Sequence, residues 1–253
     1  MTAVAEPILR TERLVRHYGG VRALNGVDLR IQPGVLHAVI GPNGAGKSTL
    51  FHVITGRVPA TSGRVWFRGL DITGRSQPEI AQLGIARSYQ ITTVFPKLSV
   101  HENVRVAAQA SISQSWMKFW QPADAFRTVS ERTDQVLEMV GLKDQRRLIA
   151  GELSHGEQRH LDIAIALASD PSLLLLDEPT AGMSPLETEQ MMYLIRDLGR
   201  QVSVVLVEHK MQVVMGVSDR ITVLHFGSLL MEGTPDEVRS NPRVQEVYLE
   251  GSI

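Results

Sequence analysis

The stretch GPNGAGKST, residues 41–49, directly follows the apolar run of residues 35–40. It fits the pattern G-x-x-x-x-G-K-[ST], in which glycines let successive backbone N–H groups turn inward around a phosphate. A helix that begins near Gly46 adds the positive end of its dipole. Lys47 can then reach the β- and γ-phosphates, and Ser48 can ligate Mg²⁺. An ordinary Gly-rich turn is the alternative, but the flanking strand and helix patterns favour a bound nucleoside triphosphate with Mg²⁺.

Composition limits the classes of protein that this sequence can encode. A chain of 253 residues can bury a full core. The formal net charge of −1 gives no basic footprint for nucleic acid, and no such partner is expected. Because cysteine is absent, we expect neither disulfides nor a thiolate metal site. The N-terminus has no signal-peptide pattern, and the apolar runs are far shorter than the roughly 20 residues of a spanning helix.

Three short segments with alternating polar and apolar residues predict antiparallel strands beside the nucleotide site. They cover residues 14–18, 27–31 and 63–69. Tyr18 ends the first segment, where an aromatic ring could stack on adenine. Spacing alone nevertheless favours a structural tyrosine.

The middle of the chain predicts an inserted helical subdomain, because residues 104–147 show a polar helical pattern without alternating strands. Gln90 opens a loop before it. Its side-chain carbonyl could meet Mg²⁺ or an attacking water, although a loop glutamine is usually just solvated. The apolar patch SWMKFW, residues 115–120, either packs the subdomain's own core, which we favour, or docks a partner.

The segment LSHGEQ, residues 153–158, precedes a helix that we predict over residues 159–168. Ser154 and Glu157 form a capping box, which by itself explains a helix start. Gly156 does not suit a first turn, since glycine costs up to about 1 kcal/mol relative to alanine in a helix. We therefore expect a group to approach the backbone closely there, and a helix N-terminus suits a phosphate.

Four consecutive leucines, residues 173–176, predict a strand buried on both faces, as in a parallel sheet covered by helices. Asp177 and Glu178 follow, and two carboxylates are best placed at the carboxyl edge of such a sheet, where open α/β proteins bind ligands. We expect Asp177 to hold Mg²⁺ directly or through water and Glu178 to polarise an attacking water.

The last part of the chain predicts a second buried strand over residues 202–207, ending in Glu208-His209. An imidazole there could act near a γ-phosphate, but a lone histidine is more often structural. Residues 221–231 predict a hairpin. Thr234 then caps a last helix, and residues 242–251 form a short docked tail.

Five motifs, in this order, resemble those of the nucleotide-binding subunits of ABC transporters: the P-loop GPNGAGKST, the glutamine of ARSYQ, the signature LSHGEQ, LLLLDEP and the late EHK. The resemblance implies an α/β P-loop NTPase core with a parallel sheet, an N-terminal antiparallel β subdomain and an inserted helical subdomain. It implies one domain over residues 1–253, with the core at 1–90 and 161–232, the helical subdomain and signature at 91–160, and a C-terminal helix and tail at 233–253.

The resemblance also implies a role for each motif residue in ATP hydrolysis. Glu178 would be the general base, His209 the γ-phosphate switch, Lys47 a stabilising cation and Gln90 a sensor between Mg²⁺ and the transport subunit. Tyr18 would stack on adenine, so for Tyr18, Gln90 and His209 the interpretation from spacing is reversed. The implied nucleotide-binding residues are Tyr18, Gly41, Pro42, Asn43, Gly44, Ala45, Gly46, Lys47, Ser48, Thr49, Ser154, His155, Gly156 and Glu157. The implied metal ligands are Ser48, Gln90 and Asp177.

The implied assembly is a head-to-tail dimer, with a second copy or a sister ATPase, in which the signature of one subunit closes on ATP held by the other. The segments FPKLSVHENV, EHKMQVVMGVSDRITVL and GTPDEVRSNPRVQEVYLEG are similar to the ATPases of bacterial branched-chain amino acid importers. Such importers add integral-membrane permeases and an external solute-binding protein, which implies a peripheral position on the cytoplasmic face of the inner membrane. Two alternatives stay open: a lipopolysaccharide-export ATPase and a soluble ABC ATPase without a permease.

Three positions depart from the family's common pattern. His155 stands where glycine is most frequent, and Ser184 stands where Asp or Asn is usual. Ser184 keeps a helix cap but supplies no carboxylate. Lys210 stands where Asp commonly follows the switch histidine, and the sequence offers no account of it.

Overall fold

The computed structural model describes residues 6–88, 94–112 and 123–250. The strands are β1 (Leu9–Tyr18), β2 (Val21–Ile31), β3 (Leu36–Ile40), β4 (Ser62–Phe67), β5 (Leu70–Asp71), β6 (Ile85–Arg87), β7 (Leu173–Asp177), β8 (Ser203–Val207), β9 (Arg220–His225) and β10 (Ser228–Gly233). The helices are α1 (Lys47–Ile54), α2 (Gln77–Gln82), α3 (Val100–Ile112), α4 (Ala123–Met139), α5 (His155–Leu167), α6 (Pro185–Gly199), α7 (Met211–Val217), α8 (Pro235–Ser240) and α9 (Pro242–Glu250).

The central sheet has six strands in the order β10-β9-β3-β8-β7-β6. Its neighbours pair in parallel from β6 to β9, and β10 is antiparallel to β9, as the predicted hairpin requires. Every residue of β3, β7 and β8 is buried. In β7, Leu174 and Leu176 face one hydrophobic cluster while Leu173 and Leu175 face another, because successive side chains of a strand point to opposite faces. The prediction of a leucine strand buried on both sides is therefore confirmed.

A separate four-stranded sheet, in the order β2-β1-β4-β5, forms the antiparallel layer. β1 and β2 are longer than the segments predicted from alternation, because residues outside those segments also pair. The last pair, next to the turn, is Tyr18 with Val21. Asn25 of β2 donates its N–H to the carbonyl of Gly227 at 2.8 Å, and the N–H of Gly227 donates in turn to the carbonyl of Ala45 in the P-loop at 3.0 Å. This layer therefore lies beside the phosphate-binding loop.

Helices α3 and α4 lie in the chain between β6 and the signature. Val104 and Ala108 of α3, Val136 of α4 and Leu161 of α5 belong to one buried cluster. The patch at residues 115–120 and Gln90 lie outside the described residues, and the proposed domain boundaries stay a prediction.

One helix prediction needs correction. Helix α5 begins at His155, before the predicted residue 159, because Ser154 is already its N-cap and the capping box forms. The docked tail predicted after residue 241 is itself a helix, α9. It starts because the side-chain oxygen of Asn241 accepts the N–H groups of Arg243 and Val244 at 3.0 and 3.3 Å. None of the helices within the described ranges is long and apolar enough to cross a membrane.

Candidate functional site

Three of the predicted motifs leave the central sheet at the same edge. Strands β3, β8 and β7 are parallel neighbours, and their carboxyl ends lead into the P-loop, the His209 loop and the Glu178 loop respectively. Asp177 pairs in register with Val207, so Glu178 and Glu208 begin adjacent loops. This edge is where open α/β sheets bind their ligands.

The side chain of Lys47 hydrogen-bonds back to the P-loop that carries it. Lys47, which is 8% exposed, donates from Nζ to the carbonyl oxygens of Gly41 at 2.6 Å and Pro42 at 3.1 Å. Burial lowers the pKa of Lys47, while the nearby carboxylates of Glu178 and Asp177 raise it. The ammonium group is thus placed between the loop and the two carboxylates.

The first glycine of the loop fits a space that no other residue would fit. Gly41 has φ +151°, and a Cβ atom there would lie 2.2 Å from the carbonyl oxygen of Leu224 in β9. The N–H of Gly41 also hydrogen-bonds the phenol oxygen of Tyr248 in α9. Burial raises the pKa of Tyr248 to about 12, although this hydrogen bond acts in the opposite direction. The C-terminal helix therefore contacts the phosphate-binding loop directly, which the sequence did not predict.

Asp177 is buried and paired. It is 5% exposed, and its Oδ2 lies 2.6 Å from Nη2 of Arg87, the last residue of β6. A buried carboxylate needs such a partner, since an isolated ion in the interior costs several kcal/mol. Sequence reasoning missed Arg87; a basic residue that ends a buried strand was the available signal.

The oxygen donors at this edge fit Mg²⁺. Mg²⁺ prefers hard oxygen ligands and is usually held by one or two carboxylates together with substrate phosphates. The exposed hydroxyl of Ser48, at the start of α1, and the carboxylate of Asp177 are such donors. Gln90, the third predicted ligand, lies outside the described residues.

Glu178 and His209 face each other across the two adjacent loops. Nδ1 of His209 lies 3.8 Å from Oε1 of Glu178, and their side chains are 54% and 23% exposed. Glu178 has φ +49° and donates its N–H to the carbonyl of Val207 at 2.8 Å. A positive φ is uncommon for a residue with a side chain, and such conformations cluster at functional sites.

The signature residues form a second group, whose described contacts run to Glu187 and to the loop before α6. Ser154 and Glu157 form the capping box: the Ser154 N–H donates to the Glu157 carboxylate at 2.8 Å, and the Glu157 N–H donates to the Ser154 hydroxyl at 3.2 Å. The group close to Gly156 is the carboxylate of Glu187, since a Cβ at residue 156 would lie 2.8 Å from its Oε1. A Cβ added at Gly182, in the loop before α6, would lie 3.3 Å from the imidazole of His155. The expected close approach thus exists within one chain and involves a carboxylate.

Glu187 connects this group to the cap of α6. Its carboxylate accepts the N–H and hydroxyl of Ser184 at 2.9 and 2.7 Å. These bonds to Ser184 are the main reason why the pKa of Glu187 is lowered, and the Gly156 N–H and His155 contribute to the same shift. Ser184 therefore caps α6 and orients the carboxylate that contacts the signature.

Tyr18 lies at the β1–β2 hairpin, beside the start of β2. Its side chain is 42% exposed, and the guanidinium of Arg16 covers its ring at 4.6 Å from the centroid. The backbone of Ala23, five residues along this hairpin, lies close to Gly46, where a Cβ would be 2.5 Å from the Ala23 carbonyl. The hairpin that carries Tyr18 therefore borders the P-loop.

The predicted residues accordingly divide into two sets. Lys47, Asp177, Glu178 and His209 come together at the sheet edge, with the P-loop between them and Tyr18 on the neighbouring hairpin. Ser154, His155, Gly156 and Glu157 stand with the loop before α6. Their assigned roles stay predictions.

Models of two known families match this sequence. The model described as ABC transporter matches residues 24–181, and the model described as branched-chain amino acid ATP-binding cassette transporter matches residues 228–249. The second match covers β10, α8 and most of α9.

Curated relatives match over nearly the whole chain. The high-affinity branched-chain amino acid transport ATP-binding protein LivG of Escherichia coli K12 is 36% identical, covering 97% of this chain and 99% of the relative. BraF of Pseudomonas aeruginosa, with the same description, has the same identity and coverage. The probable LivG of Methanocaldococcus jannaschii is 32% identical over 96% of this chain and 97% of the relative.

Solved structures agree with the fold. An ATP-binding cassette of an ABC transporter in its ADP conformation superposes with a TM-score of 0.83 at 31% identity, covering 96% of this chain and 98% of that chain. A dimeric bacterial ABC transporter cassette gives a TM-score of 0.75 at 26% identity, covering 90% of this chain and 98% of that chain. The predicted fold, a P-loop core with an antiparallel layer and a helical insertion, is confirmed.

Proposed function

The chain belongs to the ABC transporter family of ATP-binding cassettes, and from this we propose that it hydrolyses ATP to drive import of branched-chain or related amino acids. One observation carries the catalytic part of the proposal. Glu178 stands at the carboxyl edge of the sheet, 3.8 Å from His209, and its charge opposes the lowering of the Lys47 pKa by burial. A carboxylate that can orient water and a cation beside a phosphate-binding loop are groups that phosphoryl transfer to water uses, and the imidazole of His209 lies next to them.

In the proposed reaction Glu178 accepts a proton from the water that attacks the γ-phosphate in line. Lys47 stabilises the negative charge that spreads over the phosphate oxygens. Its ammonium group is held in the loop by hydrogen bonds to the Gly41 and Pro42 carbonyls. His209 is partly exposed and can reach both Glu178 and the γ-phosphate. Tyr18 stacks on adenine.

Mg²⁺ is the proposed metal, held by Ser48 and Asp177, with Gln90 as a further ligand. When bound, it would neutralise charge on the β- and γ-phosphates. Arg87 fixes the orientation of the Asp177 carboxylate through their 2.6 Å ion pair.

The second half of the site is proposed to come from another subunit. The described contacts of the signature residues run to Glu187 and to the loop before α6, and in the proposed assembly Ser154, His155, Gly156 and Glu157 act on ATP held by a partner. The dimeric cassette to which this chain is similar supports such a pairing. The partner is a second copy or a sister ATPase, and closure of the dimer would move permease subunits at the cytoplasmic face of the membrane.

The match of residues 228–249 to the branched-chain amino acid family supports the proposed cargo. It favours amino-acid import over lipopolysaccharide export, as does the similarity to LivG and BraF over nearly their full length. An external solute-binding protein would then deliver the amino acid to the permeases.

The catalytic proposal is tested with Glu178→Gln. This variant should bind ATP with unchanged affinity, lose nearly all hydrolysis and accumulate as a closed dimer in size-exclusion chromatography. Glu131→Gln is the matched control, because Glu131 is an exposed carboxylate of α4 that pairs with Arg127 four residues before it. Normal turnover by the Glu178 variant would remove this residue from its role.

The cargo is tested by reconstitution. The protein should copurify from detergent extract with integral-membrane permeases. Vesicles that contain this complex should take up leucine, isoleucine or valine only with ATP and a solute-binding protein. Recovery with ribosomes instead would refute transport.

A further inference from the structure

A buried carboxylate that the mechanism above does not use lies directly beneath the catalytic pair. Glu208 is 0% exposed, yet it stands between the buried strand β8 and His209. Building on the proposed ATPase function, we propose that Glu208 is a positioning residue which, with Thr180 and Lys210, holds Glu178 and His209 side by side.

Glu208 joins the two loops that carry the catalytic pair. Its Oε1 accepts the N–H and the hydroxyl of Thr180, at 3.1 and 2.5 Å, in the loop after Glu178. Its Oε2 accepts the backbone N–H groups of His209 and Lys210 at 3.0 and 3.3 Å. Each carboxylate oxygen therefore serves a different loop, so that one side chain sets the spacing between them.

The loop that Glu208 holds is the one with an unfavourable backbone conformation. Glu178 has φ +49°, and a short turn follows it, closed by the Ala181 N–H on the Glu178 carbonyl at 3.1 Å. Such conformations persist only when the surrounding structure fixes them. Thr180 lies inside this turn, and its bonds to Glu208 hold the turn together with the bond from the Glu178 N–H to the Val207 carbonyl.

Lys210 completes the arrangement from the other side. Its Nζ donates to the Thr180 carbonyl at 2.8 Å and to the Thr188 hydroxyl in α6 at 3.4 Å. Thr180 is thus held at its N–H, hydroxyl and carbonyl by the two residues that flank His209. An aspartate at residue 210 could not donate these bonds, which accounts for the lysine that the sequence left unexplained.

Glu208 could hold this geometry only to stabilise the fold, or it could hold it to position the catalytic pair. A substitution has different effects in the two cases. Loss of stability lowers the amount of folded enzyme without altering kcat per active site. Loss of positioning lowers kcat while ATP binding persists, because the P-loop contacts are untouched. It also has no effect once the positioned base has been removed.

The experiment uses Thr180→Val, which replaces the hydroxyl with a methyl group of similar size. We expect kcat to fall roughly ten- to hundredfold, as misplacement of catalytic groups by about 1 Å produces, with the KM for ATP changed less than about twofold. Thr180→Ser restores the hydroxyl and should recover most of this loss. Glu208→Gln, which presents an amide N–H₂ to donors, should give the same kcat-selective fall.

Thr133→Val is the matched control. Thr133 is also 0% exposed, and its hydroxyl donates within α4 to the Val129 carbonyl at 2.8 Å, far along the chain from both loops. It should lower the melting temperature without changing kcat per ATP-binding site.

The decisive comparison is made in the Glu178→Gln background by single-turnover hydrolysis. There, Thr180→Val should reduce the residual rate by less than about twofold. Three results would each overturn the inference: wild-type turnover by Thr180→Val, a fall that tracks stability as in Thr133→Val, or the same factor lost with and without Glu178. If the wild-type protein itself does not hydrolyse ATP, the proposed function fails instead.

Discussion

His37 gives a quantitative prediction for stability against pH. It is the second residue of β3, four residues before the P-loop, and is 1% exposed, with Nε2 at 2.7 Å from the hydroxyl of Thr222. Burial, assisted by the positive charge of Arg220, lowers the pKa of His37 to about 4. The unfolded chain should titrate near 6.5.

The sign follows from which state binds more protons. Above pH 6.5 both states are neutral at this position and it has no effect. Between pH 6.5 and 4 the unfolded chain takes up a proton that the folded protein does not, so the free energy of unfolding falls as the pH falls. With 1.36 kcal/mol for each pKa unit, the loss is roughly 2 kcal/mol at pH 5 and about 3 kcal/mol by pH 4.

The assay is urea unfolding of the wild type and of His37→Gln at pH 7.5 and pH 5.0. His52 and His160 also have lowered pKa values, because burial disfavours their charged forms, but they are present in both proteins and cancel in the difference. The variant should gain roughly 2 kcal/mol relative to the wild type on going to pH 5. A difference that stays constant with pH would show that His37 takes up its proton in the folded state, and would refute the reasoning.

Two further predictions concern glycines at the site. Gly156→Ala should displace the Glu187 carboxylate, which a Cβ would meet at 2.8 Å. Because this side chain can move, the melting temperature should stay near that of the wild type, while ATPase activity should fall roughly hundredfold. Full ATPase activity would contradict the proposed role of Gly156. Gly41→Ala should lower the free energy of unfolding by at least about 3 kcal/mol in urea, since its Cβ would meet the Leu224 carbonyl at 2.2 Å and backbone cannot yield cheaply. Gly44→Ala, with φ +80° but open space around it, should cost only about 1 to 2 kcal/mol, and equal losses would show that the close approach is unimportant.

The parts of the fold that depend on neighbouring residues were predictable. The leucine strand, the P-loop before a helix and the capping boxes at Ser154 and Ser184 each follow from a few consecutive residues, and the structure has them all. The helical conformation of the docked tail was not predicted, because Asn241, not a Ser or Thr, restarts the chain as a helix.

The contacts that orient the site were not predictable, since their partners are far apart in the chain. Arg87 meets Asp177 across 90 positions, and Glu208 meets Thr180 across 28. In the sequence, a glutamate directly before His209 is indistinguishable from any other loop carboxylate. Glu208 reaches the loop after Glu178 only because β7 pairs with β8, which places the two loops side by side.

The contact between Glu187 and the signature has a consequence for mixed dimers. In a head-to-tail dimer, the signature of one subunit serves the ATP that the other subunit's P-loop holds. A Glu187 defect would then silence the site opposite to the one silenced by a Lys47 defect in the same polypeptide. A subunit with both changes would therefore leave no working site in a dimer with a wild-type subunit. A Lys47 variant paired with a Glu187 variant would instead leave one site intact.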